Sequence, residues 1–144
     1  MKLKNRPLAK FPSKKSIGKR LWGKEWLLVL IPKVLTLKLL EIKKSNKGGL
    51  QFHRKKNECG YILSGKLKVT FQNKSGKLKS KILKSGECFH FPPGSIHQEE
   101  AITDCKIIEA SSPHFNDRVR VEKFFNLLVS KGLPSTKLNE IIIK

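Results

Sequence analysis

The stretch Tyr61-Ile62-Leu63-Ser64-Gly65-Lys66-Leu67-Lys68-Val69-Thr70-Phe71 decides how the chain is read. In its second half Leu67, Val69 and Phe71 alternate with Lys66, Lys68 and Thr70. A period of two sets the apolar residues on one face of a half-buried strand. Ser64-Gly65 interrupts the run where glycine can take a positive φ, so the stretch reads as two short strands joined at a bend. Working outward, Asn73-Lys74-Ser75-Gly76 has the composition of a hairpin turn and leads into a strand through Ile82. Upstream, Val34 to Ile42 is aliphatic and bounded by Pro32 and by Ser45 to Gly49, and Leu50 to His53 makes a further short strand. Downstream, Cys88 to Phe91 stops at Pro92-Pro93-Gly94, and Cys105 to Ala110 is strand again. Short strands at close turn spacing predict an all-β antiparallel sandwich or barrel.

At 144 residues, of which 38% are hydrophobic, the chain can bury one core and is not disordered. Its 31 Lys+Arg against 11 Asp+Glu give a net charge of +20. Such a charge first suggests nucleic acid. However, 26 of the basic residues are Lys and five are Arg, whereas bidentate phosphate and base recognition favours the Arg fork. The excess therefore reads as a solvated lysine-rich surface that draws anions, and nucleic acid is not the expected partner. Cys59, Cys88 and Cys105 are odd in number and lack zinc-ribbon spacing, so they read as small core residues in a reducing, cytoplasmic setting. The longest apolar run, Trp26 to Ile31, is too short to span a membrane. Residues 1–20 carry basic side chains with no acid and no apolar segment, which predicts a flexible basic arm rather than a secretory signal. At the other end Val121, Phe124, Phe125 and Leu128 fall at helical spacing, with Asn116 or Asp117 as cap and Gly132 and Pro134 as stops. The expected organisation is an arm over 1–20, a barrel over 21–115 and a helical segment over 116–144.

Gln51 and His53 are two apart on one predicted strand and so share a face. Glu58 opens the next strand, and His97 follows the Pro92-Pro93-Gly94 turn. Two imidazoles, a carboxylate and an amide oxygen converging inside a barrel would suit one divalent ion, Zn, Mn, Fe or Ni. Spacing alone leaves open that these are ordinary surface or core polar groups.

Leu50-Gln51-Phe52-His53-x4-Glu58-x6-Gly65 closely resembles the first motif of the cupin superfamily. It has the Gln-x-His-x4-Glu form found in phosphomannose isomerases, that is, the type II mannose-6-phosphate isomerase C-terminal domain and its small single-domain relatives. Gly86-Glu87-x4-Pro92-Pro93-Gly94-x2-His97 matches the second cupin motif. Arg54 and Lys55 stand where a second His of the first motif would fall, so the common three-His-one-Glu set cannot form and Gln51 takes that place. The resemblance implies a single jelly-roll barrel, or double-stranded β-helix, with a C-terminal helix. It also implies a metal held by Gln51, His53, Glu58 and His97, and a homodimer. The activity it implies is that of a sugar or sugar-phosphate isomerase or epimerase. If Gln51 points elsewhere, the remaining two-His-one-carboxylate set would suit a non-haem iron dioxygenase, and a non-catalytic cupin binding a small ligand is the third reading. For isomerase chemistry Glu99 and His90 are the candidate proton carriers. Arg118, Arg120 and Lys43 are the candidates to hold the anionic end of a substrate such as a sugar phosphate.

Overall fold

The computed structural model describes residues 4–115 and 117–129. Two antiparallel sheets face each other. The first has six strands in the order β1-β2-β3-β10-β5-β8, and the second has five in the order β11-β4-β9-β6-β7. The first sheet is formed by β1 (Lys15–Arg20), β2 (Gly23–Ile31), β3 (Leu35–Ile42), β10 (Cys105–Ser111), β5 (Glu58–Ser64) and β8 (Cys88–Phe91). The second is formed by β11 (Arg118–Arg120), β4 (Gln51–His53), β9 (His97–Ala101), β6 (Lys66–Gln72) and β7 (Leu78–Lys84). The architecture is all-β, consistent with a jelly-roll barrel.

The deciding stretch folds as its pattern requires. β5 and β6 meet at Gly65, whose φ is +89°. Leu67 and Val69 are buried, with Phe71 packed against the same core. The Asn73–Gly76 turn closes the β6–β7 hairpin, and Asn73 Oδ1 accepts the backbone N–H groups of Ser75 and Lys77. This is the side-chain-to-backbone bonding that makes Asn a turn residue.

Inward positions separate by polarity along each strand. On β3, Thr36, Lys38, Leu40 and Ile42 face in. On β10, whose register sets Ser111 beside Thr36 and Cys105 beside Ile42, the inward residues run from Ser111 and Glu109 to Ile107 and Cys105. β5 repeats the order from Glu58 to Ile62. One end of the interior is therefore polar, while the other holds the apolar cluster of Leu40, Ile62, Leu67, Phe89 and Ile107.

The termini differ from the sequence expectation. The basic arm enters the fold at its far end, because β1 pairs with β2 and extends the six-stranded sheet, with Lys14 Nζ 4.2 Å above the Trp26 ring. The segment expected to be helical from residue 116 begins instead with strand β11, followed by one 3-10 turn over Glu122–Phe125. Asn126 ends that turn with φ 56°, in the left-handed region. Phe124 and Leu128 are 90% and 96% exposed, so the stripe read as helical packing covers no core among the described residues. Asp117 is not a helix cap: its Oδ2 accepts the backbone N–H groups of Lys55 and Lys56 and so pins the β4–β5 loop. Gly132 and Pro134 lie outside the described residues. Two of the three cysteines also depart from the core reading, since Cys59 and Cys88 are exposed and only Cys105 is buried.

The bend at Gly65 gives a direct test. A Cβ there would run into the backbone carbonyl of Asp104, on a φ that other residues adopt only under strain. Gly65→Ala should cost about 1–3 kcal/mol in urea unfolding, and an unchanged midpoint would contradict the account.

Candidate metal centre

The triad sits at the polar end. β4 delivers His53, the start of β5 delivers Glu58 and the start of β9 delivers His97, all three buried. Glu58 Oε1 lies 3.4 Å from His53 Nε2 and 3.0 Å from His97 Nε2. One ligand atom from each residue falls within 4.8 Å of the other two. His97 Nδ1 lies 3.0 Å from the Ser95 carbonyl oxygen, an acceptor, so Nδ1 donates to it and Nε2 is the nitrogen turned toward Glu58. The His97 ring also stacks on Phe91, with centroids 4.0 Å apart, which holds its orientation.

Two imidazole nitrogens thus converge on one carboxylate oxygen. When both Nε2 atoms are deprotonated, their lone pairs and that oxygen face one point and repel unless a positive charge stands there. A divalent cation meets that need, so the residues present fit a metal. The donor set of two nitrogens and a carboxylate oxygen does not choose among Zn, Mn and Fe.

The surrounding charges are unusual for a protein interior. Lys56, on the pinned loop, places Nζ 2.7 Å from Glu58 Oε2 and 3.5 Å from Glu109 Oε1. Burial disfavours its charge, but the Glu109 and Glu58 carboxylates outweigh that and raise its pKa above the ordinary lysine value. Burial would likewise raise Glu58, yet the Lys56 ammonium and the hydrogen bonds to the two imidazoles hold it well below the usual carboxylate range. His53 is lowered, chiefly by burial, with Glu58 pulling the other way. Glu99 and Glu109 are both pushed up, first by burial and then by neighbouring carboxylates, with Lys56 opposing. Behind them Lys38 Nζ pairs with Glu25 Oε1 at 2.8 Å.

The remaining sequence-predicted residues scatter. Gln51 is the register partner of His97 and shares the inner face with His53. Glu99 also turns inward, and its buried Oε1 has no hydrogen-bond partner among the described residues. Its neighbour Glu100 stays at the surface near Lys68, at 3.8 Å. His90 does not reach the site: on β8 the inward residues are Phe89 and Phe91, and His90 is exposed with Nε2 2.8 Å from Asn57 Oδ1. Arg118 lies across from His53 in register. Arg120 is committed elsewhere, because its Nε donates to Glu122 Oε1 at 2.9 Å and its terminal nitrogen contacts the same oxygen. Lys43 belongs to the far end, where it lines a hollow of about 210 Å³ with Lys24, Glu41, Asp104 and Lys106. The length of β10 separates that hollow from the triad by about 20 Å at ~3.3 Å per residue.

Sequence reasoning missed Lys56 and Glu109. The signal for Lys56 was its parity with Glu58, two residues on; among 26 lysines that parity had no contrast. Glu109 sits on an alternating strand and announces itself only once Lys56 is seen opposite.

The family model for the cupin domain matches residues 38–111, more than half of the chain. The chain is a cupin. No curated protein matches its sequence. Among solved structures it resembles the capsular polysaccharide assembling protein CapF from Staphylococcus aureus, with 19% identity and a TM-score of 0.64 over 75% of this cupin and 34% of that chain. It also resembles KdgF from Halomonas sp., with 18% identity and a TM-score of 0.60 over 72% of this cupin and 91% of that chain. At such identities the likeness establishes the fold, and this cupin spans about a third of the length of CapF.

Two variants test the charge arrangement. Lys56→Ala strands two buried carboxylates and should cost about 3–5 kcal/mol in chemical unfolding. For Glu109 the folded pKa lies above the unfolded one, so its protonated form contributes stability below the ordinary glutamate value. That contribution fades as pH rises through the raised value. Glu109→Gln cannot ionise, and its stability should gain on the wild type as pH climbs from 4.5 through that window. Urea midpoints at stepped pH read the difference, and a gap that shrinks with rising pH would refute the assignment.

Proposed function

We propose that this cupin is a metal-dependent isomerase or epimerase of a sugar or sugar phosphate, with His53, Glu58, His97 and the Gln51 amide oxygen holding one divalent ion. The observation that carries the reading is Glu99: a buried carboxyl with an unpartnered oxygen, on the inner face two residues from His97. Moving a proton between adjacent carbons of a hydroxy-carbonyl compound requires such a group close to the ion. The ion, when bound, would polarise the substrate's carbonyl or hydroxyl oxygen. Glu99 then carries the proton, Glu58 stays ionised beneath the Lys56 ammonium, and Arg118 on the neighbouring strand takes the substrate's anionic end. The Gln-x-His-x4-Glu form of the first motif and the likeness to CapF, a capsular polysaccharide assembling protein, support a sugar as substrate. A homodimer in a reducing cytoplasm is part of the same proposal; the three free cysteines favour that compartment.

A second reading has its own observation. His53, Glu58 and His97 form a two-His-one-carboxylate set, the arrangement of ferrous oxygenases. Elemental analysis of the purified protein, with turnover of a panel of sugar phosphates, separates the readings. Zinc or manganese with turnover supports the isomerase; iron with oxygen uptake supports the oxygenase. A tightly held ion with no turnover on the panel points to a binding protein. For the isomerase, His97→Ala should lose both ion and activity, while Glu99→Gln should keep the ion and lose about 10²–10⁴ in kcat.

A further inference from the structure

A second group of metal-ligating side chains lies on the outer face of the six-stranded sheet, away from the triad. Cysteine is among the most buried residue types, yet Cys59 and Cys88 are both exposed on adjacent strands. In the β5–β8 register Cys59 stands directly across from His90, and Cys88 across from Tyr61. Cys59, Cys88 and His90 therefore share one face, with His90 two residues beyond Cys88. Directly opposed Cβ atoms stand about 4.5–5.5 Å apart and diagonal neighbours about 7–8 Å apart. Thiolate and imidazole ligands bind zinc at about 2.3 Å and 2.0–2.1 Å, so one ion above the sheet can be reached by all three side chains once the two thiols rotate toward the His90 ring. The thiols and the ring do not converge within 4.8 Å of one another, and the exposure of both cysteines leaves the rotation of their side chains unobstructed by core packing.

The imidazole is already set for the task. Asn57 Oδ1 is an acceptor, so the His90 nitrogen 2.8 Å from it, Nε2, carries the proton and Nδ1 keeps the lone pair. Asn57 is itself anchored, its backbone N–H donating to Ser112 Oγ at 3.0 Å. A histidine whose second nitrogen donates to a fixed acceptor is the usual support for a metal-ligating ring.

We propose that Cys59, Cys88 and His90 form a second site for a thiophilic ion of the Zn²⁺ class, with the fourth position left to water. Binding releases the two thiol protons to solvent and involves no redox step. Its ligands include two thiolates, whereas the triad offers none, so the two sites differ in spectrum as well as in place.

Cobalt(II), titrated into metal-free protein under anaerobic, reducing conditions, is the probe. The wild type should take up an ion that gives a near-ultraviolet thiolate-to-cobalt charge-transfer band. Cys88→Ser, which is remote from Glu58, should abolish that band and reduce uptake by one ion per chain. His97→Ala should leave the band intact, and His90→Gln should weaken the cobalt affinity that the band reports by about tenfold or more. Absence of the band in the wild type, or its survival in Cys88→Ser, would overturn the proposal. Neither result touches the reading of the triad, whose ion is followed by the loss on His97→Ala.

Discussion

The ammonium of Lys56 is what allows carboxylates to gather at one end of this barrel. Glu58 faces two imidazoles in a buried setting that by itself would push its carboxyl up. Lys56, 2.7 Å from its other oxygen, supplies the compensating charge inside the protein, where water cannot. Lys56 in turn needs a fixed loop, and Asp117 provides it by accepting two consecutive backbone N–H groups. A side chain just before β11 thus shapes a site whose ligands lie on three other strands.

The barrel tolerates this cluster because polarity is partitioned along its strands rather than between its sheets. Each inward row changes character partway: Lys38 to Leu40 on β3, Glu109 to Ile107 on β10, Glu58 to Ile62 on β5. The antiparallel registers then bring polar ends to polar ends and apolar ends to apolar ends. The apolar half excludes water and holds the strands together, and the polar half is spared the need to do so. Low dielectric strengthens the pairings and pushes the Glu99 and Glu109 carboxyls up, while Glu58 beside them is held down.

The strands most legible beforehand were those with strict alternation or punctuating turns, such as Lys66–Gln72 with the Asn73–Gly76 hairpin. β1 was hidden by its lysines, which read as solvated arm, yet pairing needs only backbone groups and β2 supplied the edge. The tail misled in the opposite direction, because helical spacing of Val121, Phe124 and Phe125 carries weight only if a core lies opposite. Of the triad, His53, Glu58 and His97 could be named from motif spacing, and parity put Gln51 and Glu99 on the same inner face. His90 could not be placed correctly, since it shares a strand with inward Phe89 and Phe91 and its parity sends it outward. Cys59 and Cys88 follow the same parity; hydrophobic ranking suggested burial, and the pleat decided otherwise.

By itself the sequence determined the strand pattern, the cupin motifs and the identity of the groups able to hold an ion, because period, turn chemistry and donor type are local properties. Tertiary structure alone decided which charges neutralise one another. It chose Lys56 from 26 lysines, brought Glu109 to it, bound Arg120 to Glu122 and sent Lys43 to the opposite end. Those outcomes depend on register between strands distant in sequence and on burial, which sets how strongly a nearby charge is felt.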